Sequence, residues 1–120
     1  MEVIRRSDCA PFVAQDDAII RELCSPRNAS VRNQSVAEAT IPPGGFVREH
    51  YHRTTEELYY VLSGMGRMTL EGETRNVSAG DLVVILPGKR HRIDNLGRDP
   101  LVLIVTCSPP YTVEDQVMVG

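Results

Sequence analysis

The chemistry available to this sequence rests on three histidines and a pair of glutamates. His50 and His52 stand one residue apart in the segment EHYHRTTEELYYVLSG (Glu49–Gly64), Glu56 and Glu57 follow, and His91 comes about forty residues later. Residues two apart in a strand share a face and lie roughly 6–7 Å apart at Cα. The imidazoles of His50 and His52 can therefore aim at one point inside a barrel, where a metal takes nitrogen ligands at about 2.0–2.2 Å. A turn at Arg53-Thr54-Thr55 can reverse the chain and bring a carboxylate to the same point. Side chains alternate, so only one of Glu56 and Glu57 can face inward. Alternation leaves that choice open, because Tyr59 and Val61 accompany Glu57 while Leu58, Tyr60 and Leu62 accompany Glu56. His91, after the turn at Pro87-Gly88-Lys89-Arg90, can supply a third imidazole. All three histidines of the chain then stand where they can converge.

The elements that must position them read as short strands separated by turn residues. Strand character, from β-branched and aromatic content, runs over 18–23, 35–41, 57–62, 67–70, 74–77, 82–86, 91–94 and 101–106, and convergence of His50 and His52 requires a further strand through them. Pro43-Gly44 suits the centre of a type II turn and Gly72 the tip of a tight hairpin. The best helical windows, 16–24 and 112–119, are short and weak. Many short strands at close spacing predict an all-β sandwich or barrel. Leu82–Leu86 and Leu101–Val105 are apolar on both faces, as expected for strands covered on their outer side by another element or a second subunit. The ends, 1–15 and 109–120, are expected to wrap the outside or meet a partner subunit.

A chain of 120 residues suits one domain, 1–120, with one modest core. Hydrophobic content of 42% and charged content of 24% are ordinary for a globular chain. A net charge of −3 and a pI near 5.6 argue against nucleic-acid or membrane-surface binding. Three widely spaced cysteines without a C-x-x-C read as reduced thiols. The N-terminal stretch has no apolar h-region and no apolar run is long enough to span a bilayer, so cytoplasm is the expected location.

On these residues the chain resembles the cupin superfamily. The first cupin motif is matched by Gly44, His50-Tyr51-His52, Glu57 and Gly64, and the second by Gly80, Gly88, His91 and Asn95. The six residues between Glu57 and Gly64 select Glu57 over Glu56. Leu86 stands where the second motif has Pro, with Pro87 one place later, so a local backbone change with His91 retained is expected. The two motifs span 44–95, about half the chain. The resemblance implies a small cupin, a double-stranded β-helix or jelly-roll β-barrel with short irregular or strand-forming termini. It also implies one divalent transition metal ion (Mn, Fe, Ni, Co, Cu or Zn) held by His50, His52, Glu57 and His91, with positions left for a small-molecule ligand or oxygen. The formal charge of about +1 at such a centre favours anionic or chelating ligands.

Three further residues are candidates for catalysis. Arg48 shares a face with His50 if the strand is regular, and could clamp a carboxylate or phosphate; a bend at PPGGF would leave it in solvent. Tyr59 could donate a hydrogen bond to a ligand, with packing in the wall the favoured role. Glu38 is expected outward, and would be a candidate general base if inward. Met65 and Met68 read as core filling and Cys107 as a buried hydrophobe. The function expected is a metal-dependent enzyme, dioxygenase-like or an isomerase or lyase, on a small polar or anionic metabolite. The alternative is a non-catalytic binding or sensing cupin, with a storage role behind both. Exposed apolar strands suggest a homodimer.

Overall fold

A computed structural model describes residues 1–120. Two antiparallel sheets face each other across an apolar core. The first contains β1 (Phe12–Val13), β2 (Ile19–Cys24), β3 (Ser35–Ile41), β5 (Glu56–Ser63), β8 (Leu82–Ile85) and β10 (Leu101–Ser108), in the order β1-β2-β3-β10-β5-β8. The second contains β4 (Phe46–His52), β6 (Met65–Leu70), β7 (Glu73–Ser78), β9 (His91–Asp94) and β11 (Gln116–Met118), in the order β11-β4-β9-β6-β7. The expected all-β jelly roll is what the chain forms.

Turn chemistry sets the connections. The amide of Gly45 donates to Pro42 O at 2.9 Å across Pro43-Gly44, with Gly44 at φ +78°. Glu71 (φ +48°) and Gly72 (φ +82°) are the two loop residues between β6 and β7, whose register pairs Leu70 with Glu73. Two positive-φ residues in a two-residue loop match the right-handed twist of the strands they join. Alternation along β5 is strict: Glu57, Tyr59 and Val61 are buried, while Glu56, Tyr60 and Leu62 are exposed. The core joins them to Ile41, Val47, Met68, Ile85, Ile93, Leu101 and Leu103. Met68 fills this core as expected, but Met65 is exposed.

Neither helical window forms an α-helix. Residues 19–24 extend as β2 beside β3, and 112–119 make one 3-10 turn, Val113–Asp115, before extending as β11. Pairing with a neighbouring strand overrides weak local preference in both places. The C-terminal segment therefore does not simply wrap the outside; β11 adds to the edge of β4, with Gln116 opposite His52 and Met118 opposite His50. The outer side of β8 is likewise not covered by this chain, and Leu82, Val84 and Leu86 are exposed.

The turn between β4 and β5 is clamped by Asp115, whose carboxylate accepts from Thr54 N, Thr54 Oγ1 (2.8 Å) and Thr55 N (3.1 Å). Thr55 is 1% exposed, so in the folded turn its amide relies on that acceptor rather than on open solvent. Asp115→Ala is expected to cost about 1–3 kcal/mol of stability, measured by urea unfolding.

Candidate metal centre

The cluster forms where the two sheets face each other. β4 supplies His50 and His52, β9 supplies His91 directly opposite His50, and β5 of the other sheet supplies Glu57. All four are buried, and one donor atom from each lies within 4.8 Å of the others. The spacing that reaches this point is not a regular strand. Between Val47 and His50 the register slips, since Val47 pairs with Ile93 while His50 pairs with His91. One extra residue on β4 makes a bulge that keeps Val47, His50 and His52 all inward.

Backbone carbonyls orient two of the rings in the same way. His50 Nδ1 lies 2.7 Å from Arg48 O, and His91 Nδ1 lies 2.9 Å from Lys89 O. A carbonyl only accepts, so each Nδ1 carries the proton and each Nε2 presents a lone pair to the cluster. His91 Nε2 then faces Glu57 Oε1 at 3.1 Å, and His52 Nε2 lies 3.3 Å from the same oxygen. Facing electron pairs at these distances repel unless a proton or a cation lies between them. Both ring nitrogens of His52 are buried without a hydrogen bond, a costly state for polar atoms. Three imidazoles and a carboxylate, each offering one donor atom to a common point, fit a divalent transition ion, which would give one of the two His52 nitrogens a partner. The buried cluster could thus hold a metal.

Glu57 is itself held. Cys107, its neighbour on β10, donates from Sγ to Glu57 Oε2 at 3.4 Å, leaving Oε1 toward the imidazoles. Burial, then the charge and hydrogen bond of Glu57, push the Cys107 thiol up. The thiol is thus a neutral donor that supports the carboxylate. Burial alone would raise the Glu57 carboxyl, but the imidazoles of His52 and His91 beside it hold it well below the usual range. Burial pulls His52 down, and the Glu57 carboxylate 3.3 Å away outweighs this, leaving it raised. His50 is lowered to about 4, mainly by burial and then by the charge of His91.

The His50 shift carries a stability consequence for the metal-free protein. Unfolded, this side chain takes a proton near pH 6.5; folded, it resists until about pH 4. The unfolded state binds more protons in that window, so stability falls as pH drops from 6.5 toward 4. A shift of this size corresponds to about 3 kcal/mol. Urea midpoints of the metal-free protein are expected to decline over that range, and His50→Gln should flatten the decline.

The second motif also falls into place. Lys89 N donates to Leu86 O at 3.3 Å across Pro87-Gly88, and Gly88 N donates to His52 O at 2.7 Å. The Pro-Gly turn thus survives the Leu86 departure and is tied to the strand of the first motif. Asn95 is a closing residue: its Nδ2 donates to Ile41 O and Asp99 O, and its Oδ1 accepts from Gly97 N.

The three catalytic candidates separate. Because of the bulge, Arg48 leaves the face of His50, and its guanidinium donates to Gln15 O and Gly120 O. Glu38 lies on the outer face of β3 but is buried rather than solvated, covered by Arg6 at 2.8 Å. Tyr59 is buried in the wall with its ring 5.8 Å from that of His91, centroid to centroid.

Residues outside the motifs complete the site. Asp16 Oδ2 lies 3.9 Å from His50 Nε2 and accepts from Gln116 Nε2 at 3.0 Å. Tyr111 OH and Gln15 Nε2 both donate to Gln116 Oε1. Burial raises the Tyr111 hydroxyl to about 12. This network joins the two ends of the chain beside the cluster, and the weak helical pattern of 16–24 and 112–119 does not announce it. Beside the cluster a narrow, mostly apolar cavity of about 70 Å³ is lined by Phe12 and Ala14 and, nearer the cluster, by His52 and Glu57.

A model of the cupin domain matches residues 37–107. The uncharacterized protein MJ1618 of Methanocaldococcus jannaschii is 43% identical over 105 residues, covering 88% of this chain and 84% of that one. A solved protein of Thermotoga maritima, described as a predicted oxalate decarboxylase, superposes with a TM-score of 0.80 at 25% identity, over 90% of this chain and 99% of that one. The nucleoside dehydratase Pac13 of Streptomyces superposes with a TM-score of 0.80 at 19% identity, over 99% and 91%, a likeness of fold.

Proposed function

The chain belongs to the cupin domain family, and from that premise we propose that it is a metal-dependent enzyme acting on a small molecule that chelates the ion through oxygen. The observation that carries this reading is the buried cluster of His50, His52, Glu57 and His91, whose His52 nitrogens lack hydrogen-bond partners, set beside a narrow chamber. A divalent ion held there supplies Lewis-acid polarisation of a chelated oxygen and, for a redox-active metal, a place for oxygen. The protein supplies the rest. Arg48 O and Lys89 O fix two rings, Cys107 fixes the carboxylate, and the apolar walls limit water. Asp16 stands beside the cluster as a carboxylate able to accept a hydrogen bond from a bound ligand. The likeness to a predicted oxalate decarboxylase supports a lyase over an oxygenase within this reading.

Elemental analysis of the native protein, then anaerobic reconstitution with Fe(II) or Mn(II) and screening of enediols, diketones and catechols, tests it. Turnover without oxygen uptake supports the lyase or isomerase form, and oxygen-dependent turnover the dioxygenase-like one. A co-purifying ligand, with no turnover after its removal, would instead make the protein a binding cupin.

The outer face of the first sheet supports a homodimer as the working assembly. Tyr60, Leu62, Leu82 and Val84 are 40–53% exposed there, with Tyr60 opposite Leu82 in register. Covering such a face is how sheets avoid open association. No helix of the chain is long and apolar enough to cross a membrane. The three cysteines are free, as suits a reducing, cytoplasmic setting.

A further inference from the structure

The chamber beside the cluster has a composition that narrows what can enter it. Of its 19 lining residues 13 are hydrophobic, and none is Lys or Arg. Its acids are Asp16, Glu22 and Glu57. Glu22 is already paired with Arg27, and Glu57 belongs to the cluster. Asp16 is different. It is 9% exposed, lines the chamber, and has donors only from Ala18 N and Gln116 Nε2, with no cationic Lys or Arg facing it. The one arginine on β4 that could have neutralised an anion, Arg48, is committed to backbone carbonyls outside.

The floor is built from small residues. Ala18, Ala37 and Ala39 line it, and Ala37 faces Val105 across the β3–β10 pair. Ala37 and Ala39 on β3, with Ala18 just ahead of β2, leave a recess between the sheets, and Phe12, 48% exposed, and Ala14 lie among its outer lining residues. An apolar group entering it leaves water for an apolar wall, which favours binding by about 25 cal/mol per Å². A second negative charge would instead lose its hydration beside Asp16, with no protein cation in return.

We propose that the site selects a ligand with a compact oxygen-chelating head, an apolar arm lying along Ala37 and Val105, and no second negative charge. Hydroxy-ketones, enolisable diketones and their aromatic relatives have this chemistry; small dianions such as oxalate do not. The proposal deepens the metal-enzyme reading and rests on it. It also separates this chain from an oxalate-type cupin despite the shared fold.

Calorimetric titration of the full-length Co(II)-loaded protein with acetohydroxamate, benzohydroxamate and oxalate tests it, with the same three probes titrated against free Co(II). Benzohydroxamate is expected to bind at least about tenfold more tightly than acetohydroxamate, since only its arm reaches the slot. Oxalate is expected to bind more weakly than benzohydroxamate, relative to their order with the free ion. Ala37→Phe should remove the gain from the phenyl group while leaving acetohydroxamate binding within about twofold. Ala14→Phe, at the rim, gives the same reading should the first variant fold poorly. Asp16→Asn should strengthen oxalate binding by about tenfold. Equal binding of the two hydroxamates, or oxalate favoured over benzohydroxamate relative to their order with free Co(II), overturns the proposal while leaving the metal reading intact. Failure of the wild-type chain to retain Co(II) overturns the metal reading and this proposal with it.

Discussion

Replacing His91 with alanine is expected to strip the protein of bound metal, from about one equivalent per chain to a trace by elemental analysis. His91 is fully buried, its Nδ1 is committed to Lys89 O, and it sits in register with His50, so no other side chain can move into its place. Glu57→Gln poses a sharper test because it keeps the shape and removes the charge. Oε1 is the atom that His52 and His91 share, at 3.3 and 3.1 Å. A neutral amide there offers neither the charge that balances a cation nor a reliable acceptor. We expect affinity to fall by about 100-fold or more, beyond the 10–100-fold typical of residues that merely support a ligand. Glu56→Gln is the internal control, because Glu56 lies on the outer face of the same strand. It should retain metal as the unmodified chain does. Full metal content in folded His91→Ala or Glu57→Gln protein would show that the cluster is not the metal site.

The contrast between Glu56 and Glu57 also shows what was legible in the sequence and why. Period-two alternation predicts that one of the pair faces inward but not which. The spacing to Gly64 chooses Glu57, and β5 does bury Glu57, Tyr59 and Val61. The two turns at Pro43-Gly44 and Gly72 were equally legible, because positive φ restricts the residue type locally. Arg48 was not. Its direction depends on the bulge between Val47 and His50, which exists because β9 pairs across it, and a count of residues along one strand cannot register a slip against its neighbour. Asp16 and Gln116 were invisible for a related reason. Each lies in one of the two weak helical windows, 16–24 and 112–119, and Gln116 reaches Asp16 and the cluster through the pairing of β11 with the edge of β4. A carboxylate in a turn looks like any solvated carboxylate until the fold buries it. The formal charge inferred from the four cluster residues therefore omitted the acid nearest His50.

The glycine that selected Glu57 is also where the largest loss of stability is expected. Gly64 is the only residue between β5 and β6, the point at which the chain leaves one sheet and enters the other. Its φ is +86°, and a Cβ built there would lie 2.6 Å from Pro100 O and 3.0 Å from Leu101 Cα. Both neighbours are backbone atoms, and Leu101 is fully buried in the core. The crossing strand cannot yield without shifting β10, which pairs with both β3 and β5. Gly72 separates the two causes of cost, because its φ of +82° is nearly the same while nothing lies within 4 Å of its Cβ position. Gly72→Ala should therefore show the backbone penalty alone, about 1 kcal/mol. Gly64→Ala should add the clash and lose about 3 kcal/mol or more, a large share of the stability of a small domain. Urea unfolding of the two metal-free variants side by side measures the difference. Equal losses would mean that close approach of the Pro100 carbonyl is not what demands glycine. If the loss at Gly64 is as large as expected, the motif glycine is there to bring β10 against β5, the contact through which Cys107 holds Glu57 toward the imidazoles.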